Sequence, residues 1–211
     1  MAAFDVVVVG LGATGASALA ELARRGVRVL GIERFSPGHD RGSSHGLTRI
    51  IRLGYFEDPC YVPLLREAYP LWREIEARSR SDLLHVTGIL EVGPPDGDLV
   101  RGTLRSAREH ALTHEMLDAQ AVARRFPAFR LPADFLGVFQ PDGGFLLAEA
   151  AVLAQVALAR ADGAQVREGE TVRTIAPSST GVRLATDAGT IEAGAVVVAA
   201  GPWVKRLLPD L

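Results

Sequence analysis

Two arginines and a histidine stand out in the stretch SSHGLTRIIRLGY, which runs from Ser43 to Tyr55. Arg49, Arg52 and His45 lie there among apolar residues of the kind that form protein interiors. A buried guanidinium is costly unless an anion meets it. The stretch therefore predicts a site at which an arginine binds an anionic group.

A second pattern, VVVVGLGATG, places Gly10, Gly12 and Gly15 in the spacing G-x-G-x-x-G. It follows an apolar run typical of a buried parallel strand and opens a predicted helix over residues 13–25. The next predicted strand ends at Glu33, about 20 positions further on, where such units carry a ribose-binding carboxylate. The pattern predicts a dinucleotide site with the phosphates at the helix N-terminus, and the alternative is a glycine-rich turn that binds nothing.

A third pattern, VVVAAGPWV, predicts a buried strand that ends at Ala200-Gly201-Pro202. In an α/β fold this turn would bring backbone to the carboxyl ends of the strands, where ligands bind. An ordinary strand-to-loop turn is the alternative. The glycine motif by itself leaves FAD and a nicotinamide cofactor both open.

Composition limits the classes of function. The chain has 211 residues, of which 48% are hydrophobic and 23% charged, and its formal net charge is −2. These values are typical of a globular protein and predict no binding to nucleic acid or to an anionic membrane. A single cysteine, Cys60, excludes an internal disulfide, and neither a secretion signal nor a membrane-spanning run is expected. The default expectation is a cytoplasmic protein.

The order of predicted elements indicates an α/β protein, α+β overall, with a Rossmann-like βαβ unit. Antiparallel strands and a helix interrupt it from about residue 85. The predicted organisation is a nucleotide-binding domain in two parts, with the start of a second domain between them. The predicted boundaries are 1–84 and 148–211 for the first domain and 85–147 for the second.

The residues also carry a family resemblance. In this order, DVVVVGLGATG, SSHGLTRIIR and AAGPW resemble the D-amino-acid-oxidase-like flavoproteins, and within them the sarcosine oxidase and N-methyl-tryptophan oxidase group. The similarity extends along the chain through YVPLLREAYPLW, TGILEVG and PDGGFLLAEA. The resemblance implies an FAD-binding domain, the start of an antiparallel-sheet substrate domain, and oxidation of a secondary (N-methyl) amino acid by FAD with O2 as the electron acceptor and H2O2 as product.

The resemblance also implies roles for the residues of the opening stretch. Arg52 would pair with the substrate carboxylate, for which a planar guanidinium is suited, and Tyr55 would line the substrate entrance. Arg49 and His45 would lie near the flavin as catalytic residues. For His45 a structural hydrogen-bonding role is the alternative, and for Tyr55 a packing role.

The cofactor contacts expected on the same basis come from the glycine motif, the end of the second strand, the opening stretch and the late strands. They are Gly10, Leu11, Gly12, Ala13, Thr14, Gly15, Glu33, Arg34, Gly42, Ser43, Thr48, Arg49, Ile50, Val172, Ala200, Gly201 and Trp203. Cys60 is interpreted as a packing residue, and the five histidines show no spacing typical of a metal site.

Two other functions stay open at this point: an NAD(P)-dependent dehydrogenase, and an inactive dinucleotide-binding module. Members of the resembled family continue well beyond the length present here. We therefore expect the 211 residues to be an N-terminal fragment whose C-terminal remainder is absent. On that expectation the chain alone binds FAD weakly and shows little oxidase turnover.

Overall fold

The structure, a computed structural model, describes residues 3–179 and 181–209. The strands are, in chain order, β1 (Phe4–Val9), β2 (Val29–Glu33), β3 (Thr48–Ile51), β4 (Leu84–Val86), β5 (Ile89–Gly93), β6 (Glu115–Asp118), β7 (Leu136–Gln140), β8 (Gly144–Leu147), β9 (Gln165–Glu168), β10 (Val172–Ser178), β11 (Gly181–Thr186) and β12 (Gly189–Val198). The helices are α1 (Ala13–Arg24), α2 (Val62–Ser79), α3 (Asp98–Glu109), α4 (Ala119–Arg125), α5 (Ala148–Ala161) and α6 (Val204–Leu207). Short 3-10 turns, Pro59–Tyr61 and Gly201–Trp203, precede α2 and α6.

The described residues pack as two compact units. Among the described residues, the first unit draws on 3–48, 77–83, 147–179 and 181–209, and the second on 49–76 and 84–146. The predicted boundaries differ from this division, because they group residues 49–76 with the first domain. These residues pack in the second unit, where Val62 at the start of α2 forms a buried cluster with Ala107 and Leu112.

A six-stranded sheet in the order β10-β11-β12-β1-β2-β9 forms the centre of the first unit. The strands β12, β1, β2 and β9 are parallel, while β10, β11 and β12 are antiparallel neighbours. The predicted α/β class and the βαβ unit are confirmed. The mixed sheet explains why the apolar runs of β1 and β12 resemble buried parallel strands, while β10 and β11 are more polar.

Both faces of this sheet are buried by apolar side chains. Val8 packs in a cluster with Leu19 of α1 and Val156 of α5, whereas Val7 packs with Leu30 and Leu184. Successive residues of a strand face opposite sides, so these two clusters cover opposite faces. The core therefore fixes the strand ends from which the loops of the first unit extend.

The second unit contains two three-stranded sheets, β3-β8-β4 and β5-β7-β6. The sequence predicts two strands around the Pro-Asp-Gly-Gly turn, and β7 and β8 are these strands. They do not form a hairpin, since β7 pairs with β5 and β6 while β8 pairs with β4. The turn instead passes the chain from one sheet to the other, held by the Gly88 N–H that donates to the Gly143 carbonyl.

Candidate functional site

A cavity of about 400 Å³ lies at the carboxyl ends of β1, β2 and β12 in the first unit. Its volume is within the range of small-molecule sites. The wall comes from four stretches of chain, within residues 9–14, 32–44, 170–173 and 199–207, together with Val152 of α5. The lining residues are 9–14, 32–35, 38–39, 42–44, 152, 170–173, 199–203 and 206–207.

The glycine motif shapes this cavity by allowing close contacts. Gly10 has φ +90°, and a Cβ there would lie 2.7 Å from the Ala199 carbonyl oxygen. A Cβ on Gly15 would overlap the carbonyl oxygen of Gly10. These two glycines therefore let α1 begin directly against the end of β1, which leaves backbone as the cavity wall.

Gly12 faces a different neighbour, Ser44. A Cβ on Gly12 would lie 3.1 Å from the Ser44 hydroxyl oxygen, which accepts a hydrogen bond from the Ala13 N–H at 2.9 Å. The Ser44 side chain thus supplies the acceptor at the first turn of α1 that the N-cap glycine cannot provide. Sequence reasoning did not select Ser44, although the serine pair in SSHG is typical of capping residues.

Glu33 ends β2 and is buried in the cavity wall, with 4% of its surface exposed. One carboxylate oxygen accepts the Leu11 N–H at 2.8 Å, and the other accepts the Phe35 N–H at 3.0 Å. His39 Nε2 lies 3.4 Å from the second oxygen. A carboxylate has about four lone-pair positions, so Glu33 is held in place and can still accept hydrogen bonds from a ligand.

Aromatic and charged side chains pack around Phe35, two residues after Glu33. The guanidinium carbons of Arg34 and Arg41 lie 5.2 and 4.9 Å from the ring centroid of Phe35, and the Trp203 ring meets Phe35 edge-on at 6.4 Å. Such contacts stiffen long cationic side chains. Their position directly after the predicted strand end is the signal by which Phe35 and His39 could have been found.

Three further wall residues come from the late segment of the chain: Glu170, Arg173 and Arg206. Glu170 is buried and accepts the Thr186 hydroxyl hydrogen bond at 2.6 Å. Nothing in the sequence spacing marks these residues, because the sheet order that brings β10 and the region after β12 to one edge is not local.

Most of the predicted cofactor residues line this cavity. The thirteen that do are Gly10, Leu11, Gly12, Ala13, Thr14, Glu33, Arg34, Gly42, Ser43, Val172, Ala200, Gly201 and Trp203. Gly15 lies behind the wall against Gly10, and Thr48 begins β3. Arg49 and Ile50 belong to the second unit, where Ile50 is 69% exposed.

Arg52 lies in the second unit and has two carboxylate partners there. Its NH1 nitrogen donates to Glu91 Oε1, and its NH2 nitrogen lies 3.1 Å from Glu57 Oε2. The rings of Tyr55 and Phe56 lie 4.7 and 5.1 Å from the guanidinium carbon. In the structure the anions that face Arg52 are therefore side chains of the chain itself, with Glu91 buried and Glu57 half exposed.

Glu91 is held by more than Arg52. Its second oxygen accepts hydrogen bonds from the Thr103 hydroxyl at 2.9 Å and from Gln140 Nε2 at 2.7 Å. Burial raises the pKa of this carboxyl, against the opposing effects of Arg52 and of the two neutral donors. An acid in the apolar strand TGILEVG was the only sequence signal for this residue.

The remaining candidates of the opening stretch have local contacts. His45 Nδ1 lies 2.6 Å from the Gly42 carbonyl oxygen, and the ring of Tyr55 lies 5.3 Å from that of Tyr61. Cys60 is exposed. Within residues 3–179 and 181–209, no group of three metal-ligating side chains is found, and no helix is long and apolar enough to cross a membrane.

The family model of the FAD-dependent oxidoreductases (DAO) matches residues 5–211. The chain belongs to this family. FAD is accordingly its cofactor, which favours the flavin over the nicotinamide alternative.

Relatives with curated descriptions give the same picture. The chain is 43% identical to the monomeric sarcosine oxidase of Streptomyces avermitilis, over 99% of this chain and 54% of that protein. It is 36% identical to the N-methyl-L-tryptophan oxidase of Salmonella typhimurium, over 99% of this chain and 56% of the relative. The chain thus spans about half the length of these relatives.

Solved structures share the fold of this FAD-dependent oxidoreductase, among them NikD and a glycine oxidase. NikD, an amino acid oxidase essential for nikkomycin biosynthesis, superposes with a TM-score of 0.90 at 39% identity, over 99% of this chain and 54% of NikD. The glycine oxidase of Geobacillus kaustophilus gives a TM-score of 0.84 at 27% identity, over 98% of this chain and 58% of that protein.

The cavity of the FAD-dependent oxidoreductase fits the adenosine diphosphate end of its cofactor. Glu33 would offer carboxylate oxygens to ribose hydroxyls, and the backbone at Gly10 is accessible because this residue has no Cβ. Arg34, Arg173 and Arg206 line the cavity and would supply positive charge for phosphates.

Proposed function

We propose that this protein is an FAD-dependent oxidase of secondary N-methyl amino acids such as sarcosine. The observation that carries the proposal is the 43% identity with a sarcosine oxidase over 99% of the chain. The second relative, an N-methyl-L-tryptophan oxidase, supports the same substrate class with a larger side chain. A small amino acid and O2 are the proposed reactants.

The cavity of the first unit is the proposed FAD site. Glu33 would accept hydrogen bonds from the ribose hydroxyls, and the backbone from Gly10 to Thr14 would approach the pyrophosphate. Val172 and Trp203 would border the ends of the cofactor that the cavity encloses. Ser43, which also lines the cavity, and the other predicted cofactor contacts are proposed on the basis of the family resemblance.

FAD held in the cavity would supply a two-electron acceptor: the N-alkyl carbon of the amine would lose a hydride and its nitrogen a proton, and O2 would finally take up the two electrons and two protons as H2O2. The substrate becomes an imine, which water hydrolyses. We propose that the chain contributes positive charge through Arg49, which favours negative charge on the cofactor and on reduced oxygen. His45 is proposed as a second catalytic residue.

Arg52 is the proposed anchor of the substrate carboxylate, with Tyr55 beside it. Its NH1 side is held by buried Glu91, whereas its NH2 side meets the half-exposed Glu57. A substrate carboxylate would replace Glu57 at the NH2 nitrogen, because displacing a half-exposed carboxylate costs less free energy than displacing a buried one. Held there, the substrate would have a fixed orientation for the transfer.

The test uses the FAD-loaded chain mixed with sarcosine without air. We expect the oxidised-flavin absorbance to fall, slowly because little turnover is expected of the chain alone, and readmitted air to restore it with release of H2O2. Bound FAD that no N-methyl amino acid bleaches would overturn the proposal.

The anchor is tested by Arg52→Ala, which should weaken sarcosine binding by about 2–5 kcal/mol and leave the FAD content unchanged. Arg105→Ala is the matched control, since Arg105 is an exposed arginine of the same unit paired with Glu109. Equal sarcosine affinity in Arg52→Ala and Arg105→Ala would show that Arg52 does not bind the carboxylate.

A further inference from the structure

Glu91 is a buried carboxylate to which the proposed reaction gives no role. It lies on β5, whose pairing with β7 sets Ile89 opposite Gln140 and therefore places Glu91 and Gln140 on the same face of the sheet. Only 5% of its surface is exposed. A carboxylate in such a position needs full hydrogen bonding to remain charged.

The two oxygens of Glu91 have different partners. Oε2 accepts from two neutral donors, the Thr103 hydroxyl and the Gln140 amide, while Oε1 accepts from NH1 of Arg52. The neutral donors fix the carboxylate in position, and the fixed carboxylate then determines where the NH1 side of the guanidinium lies. The side chain of Arg52 is accordingly well buried, at 14% exposure, rather than a flexible surface cation.

The same amide also fixes the backbone next to Arg52. Gln140 Oε1 accepts the Gly54 N–H at 2.8 Å, while its Nε2 donates to Glu91. The side chain of Arg52 and the turn that follows it are thus both attached to one face of the β5-β7 pair. Buried networks of this kind act through all their members together.

We propose that Glu91 is a positioning residue, which holds NH1 of Arg52 so that NH2 is oriented to receive a carboxylate ligand. This inference rests on the proposed function, in which Arg52 anchors the substrate. Glu91 acts through Arg52 and does not touch the ligand. A side chain that merely stabilised the fold would leave the discrimination between a carboxylate and its uncharged amide unchanged.

The experiment titrates the FAD-loaded chain with acetate and with acetamide by calorimetry. Glu91→Leu should weaken acetate binding about tenfold or more, whereas Glu91→Gln, whose amide oxygen can still accept from NH1, should stay within about threefold. Acetamide binding should not change in either variant. Glu76→Gln is the matched control, because Glu76 is another poorly exposed glutamate of the second unit, paired with Arg73. Acetate binding that is equal in Glu91→Leu and wild type, or equally weakened in Glu76→Gln, would overturn the proposal.

A second readout follows Arg52 itself by the NMR signal of its Nε–H group, assigned through its loss in Arg52→Lys. The signal should persist in Glu91→Gln and broaden or shift in Glu91→Leu. Thr103→Val removes one donor without changing charge, and it should give an intermediate change if Glu91→Leu fails to fold. If acetate affinity is the same in Arg52→Ala as in wild type, the anchoring role in the proposed function fails. The proposal for Glu91 is then judged by the Nε–H signal, and an unchanged signal in Glu91→Leu refutes it.

Discussion

The cavity of the first unit and the Arg52 cluster of the second unit are built in opposite ways. The cavity is shaped largely by backbone, with Gly10 and Gly15 permitting approaches that no side chain could share. The Arg52 cluster is made of side chains, in which one cation meets two carboxylates and two rings. A site made of backbone should lose its ligand binding completely when one methyl group is added. A site made of charges should lose affinity gradually as single charges or hydrogen bonds are removed.

Gly15→Ala should give the largest effect. The new Cβ would overlap the Gly10 carbonyl oxygen and approach Ala199, so α1 must shift from the end of β1. We expect a loss of about 3 kcal/mol in the free energy of unfolding, together with loss of FAD binding. Urea denaturation and FAD fluorescence titration measure the two quantities.

Gly93→Ala is the control for this change, because the nearest atom to its Cβ would lie at an ordinary 3.5 Å. If Gly15→Ala and Gly93→Ala had equal stability and equal FAD affinity, the close backbone contact at Gly15 would not be what shapes the cavity.

Glu33→Gln tests a buried charge in the backbone-built site. The amide keeps the shape but loses one acceptor for the Leu11 and Phe35 N–H groups and the charge that would hold ribose hydroxyls. FAD affinity should fall by about 2 kcal/mol, as measured by quenching of flavin fluorescence. Glu21→Gln, at an exposed glutamate paired with Arg24 and Arg25, should bind FAD like wild type.

The charge-built cluster should show a dependence on pH. Burial raises the pKa of Glu91, so the folded protein binds this proton more tightly than the unfolded chain does. The contribution of Glu91 to stability is therefore greatest below the ordinary value of 4.5 and declines as pH rises through the raised pKa. Relative to Glu91→Gln, the wild type should lose stability over that rise, as followed by thermal unfolding of both proteins. If the wild type instead gained stability relative to Glu91→Gln as pH rises, the charge of Arg52 would outweigh burial in setting the pKa of Glu91.

Tyr69 gives the smallest expected effect. Its hydroxyl donates to the Asp142 carbonyl at 2.5 Å, and burial followed by the charge of Asp142 raises its pKa to about 12. Tyr69→Phe should lower the free energy of unfolding by about 1 kcal/mol at neutral pH. The difference in tyrosinate absorbance between wild type and variant should remain small until about pH 12. Ionisation of Tyr69 near the ordinary tyrosine pKa would contradict this assignment.

Sequence reasoning served the first unit better than the second. The glycine motif, Glu33 and the late apolar strand are local patterns, and the structure brings them to one cavity. Glu170 and Arg206 escaped notice because strand order, rather than spacing, brings them there, whereas Ser44 had a local signal in SSHG that was not used. β3, β6 and α4 were not predicted because they are short, so their apolar patterns are too weak to indicate a strand or a helix.

The partners of Arg52 were also beyond the reach of the sequence. The arginine is evident in SSHGLTRIIRLGY, and the need for an anion follows from burial. Glu91 is 39 positions away, and only the pairing of β5 with β7 sets it and Gln140 on one face beside the guanidinium. A carboxylate in an apolar strand is a signal that such a partner exists, but the sequence does not say which cation it serves.

The pairing of β1 with β12 has a consequence for biosynthesis. β1 lies between β2 and β12 in the sheet, yet β12 extends from Gly189 to Val198, almost the whole chain away. A ribosome adding about 5–20 residues per second needs roughly 10–40 s to reach it. During that time one edge of β1, a run of valines, has no strand to pair with and is exposed to other nascent chains. Chaperone dependence during translation, rather than low stability of the finished fold, is the expected weakness of this protein when it is overproduced.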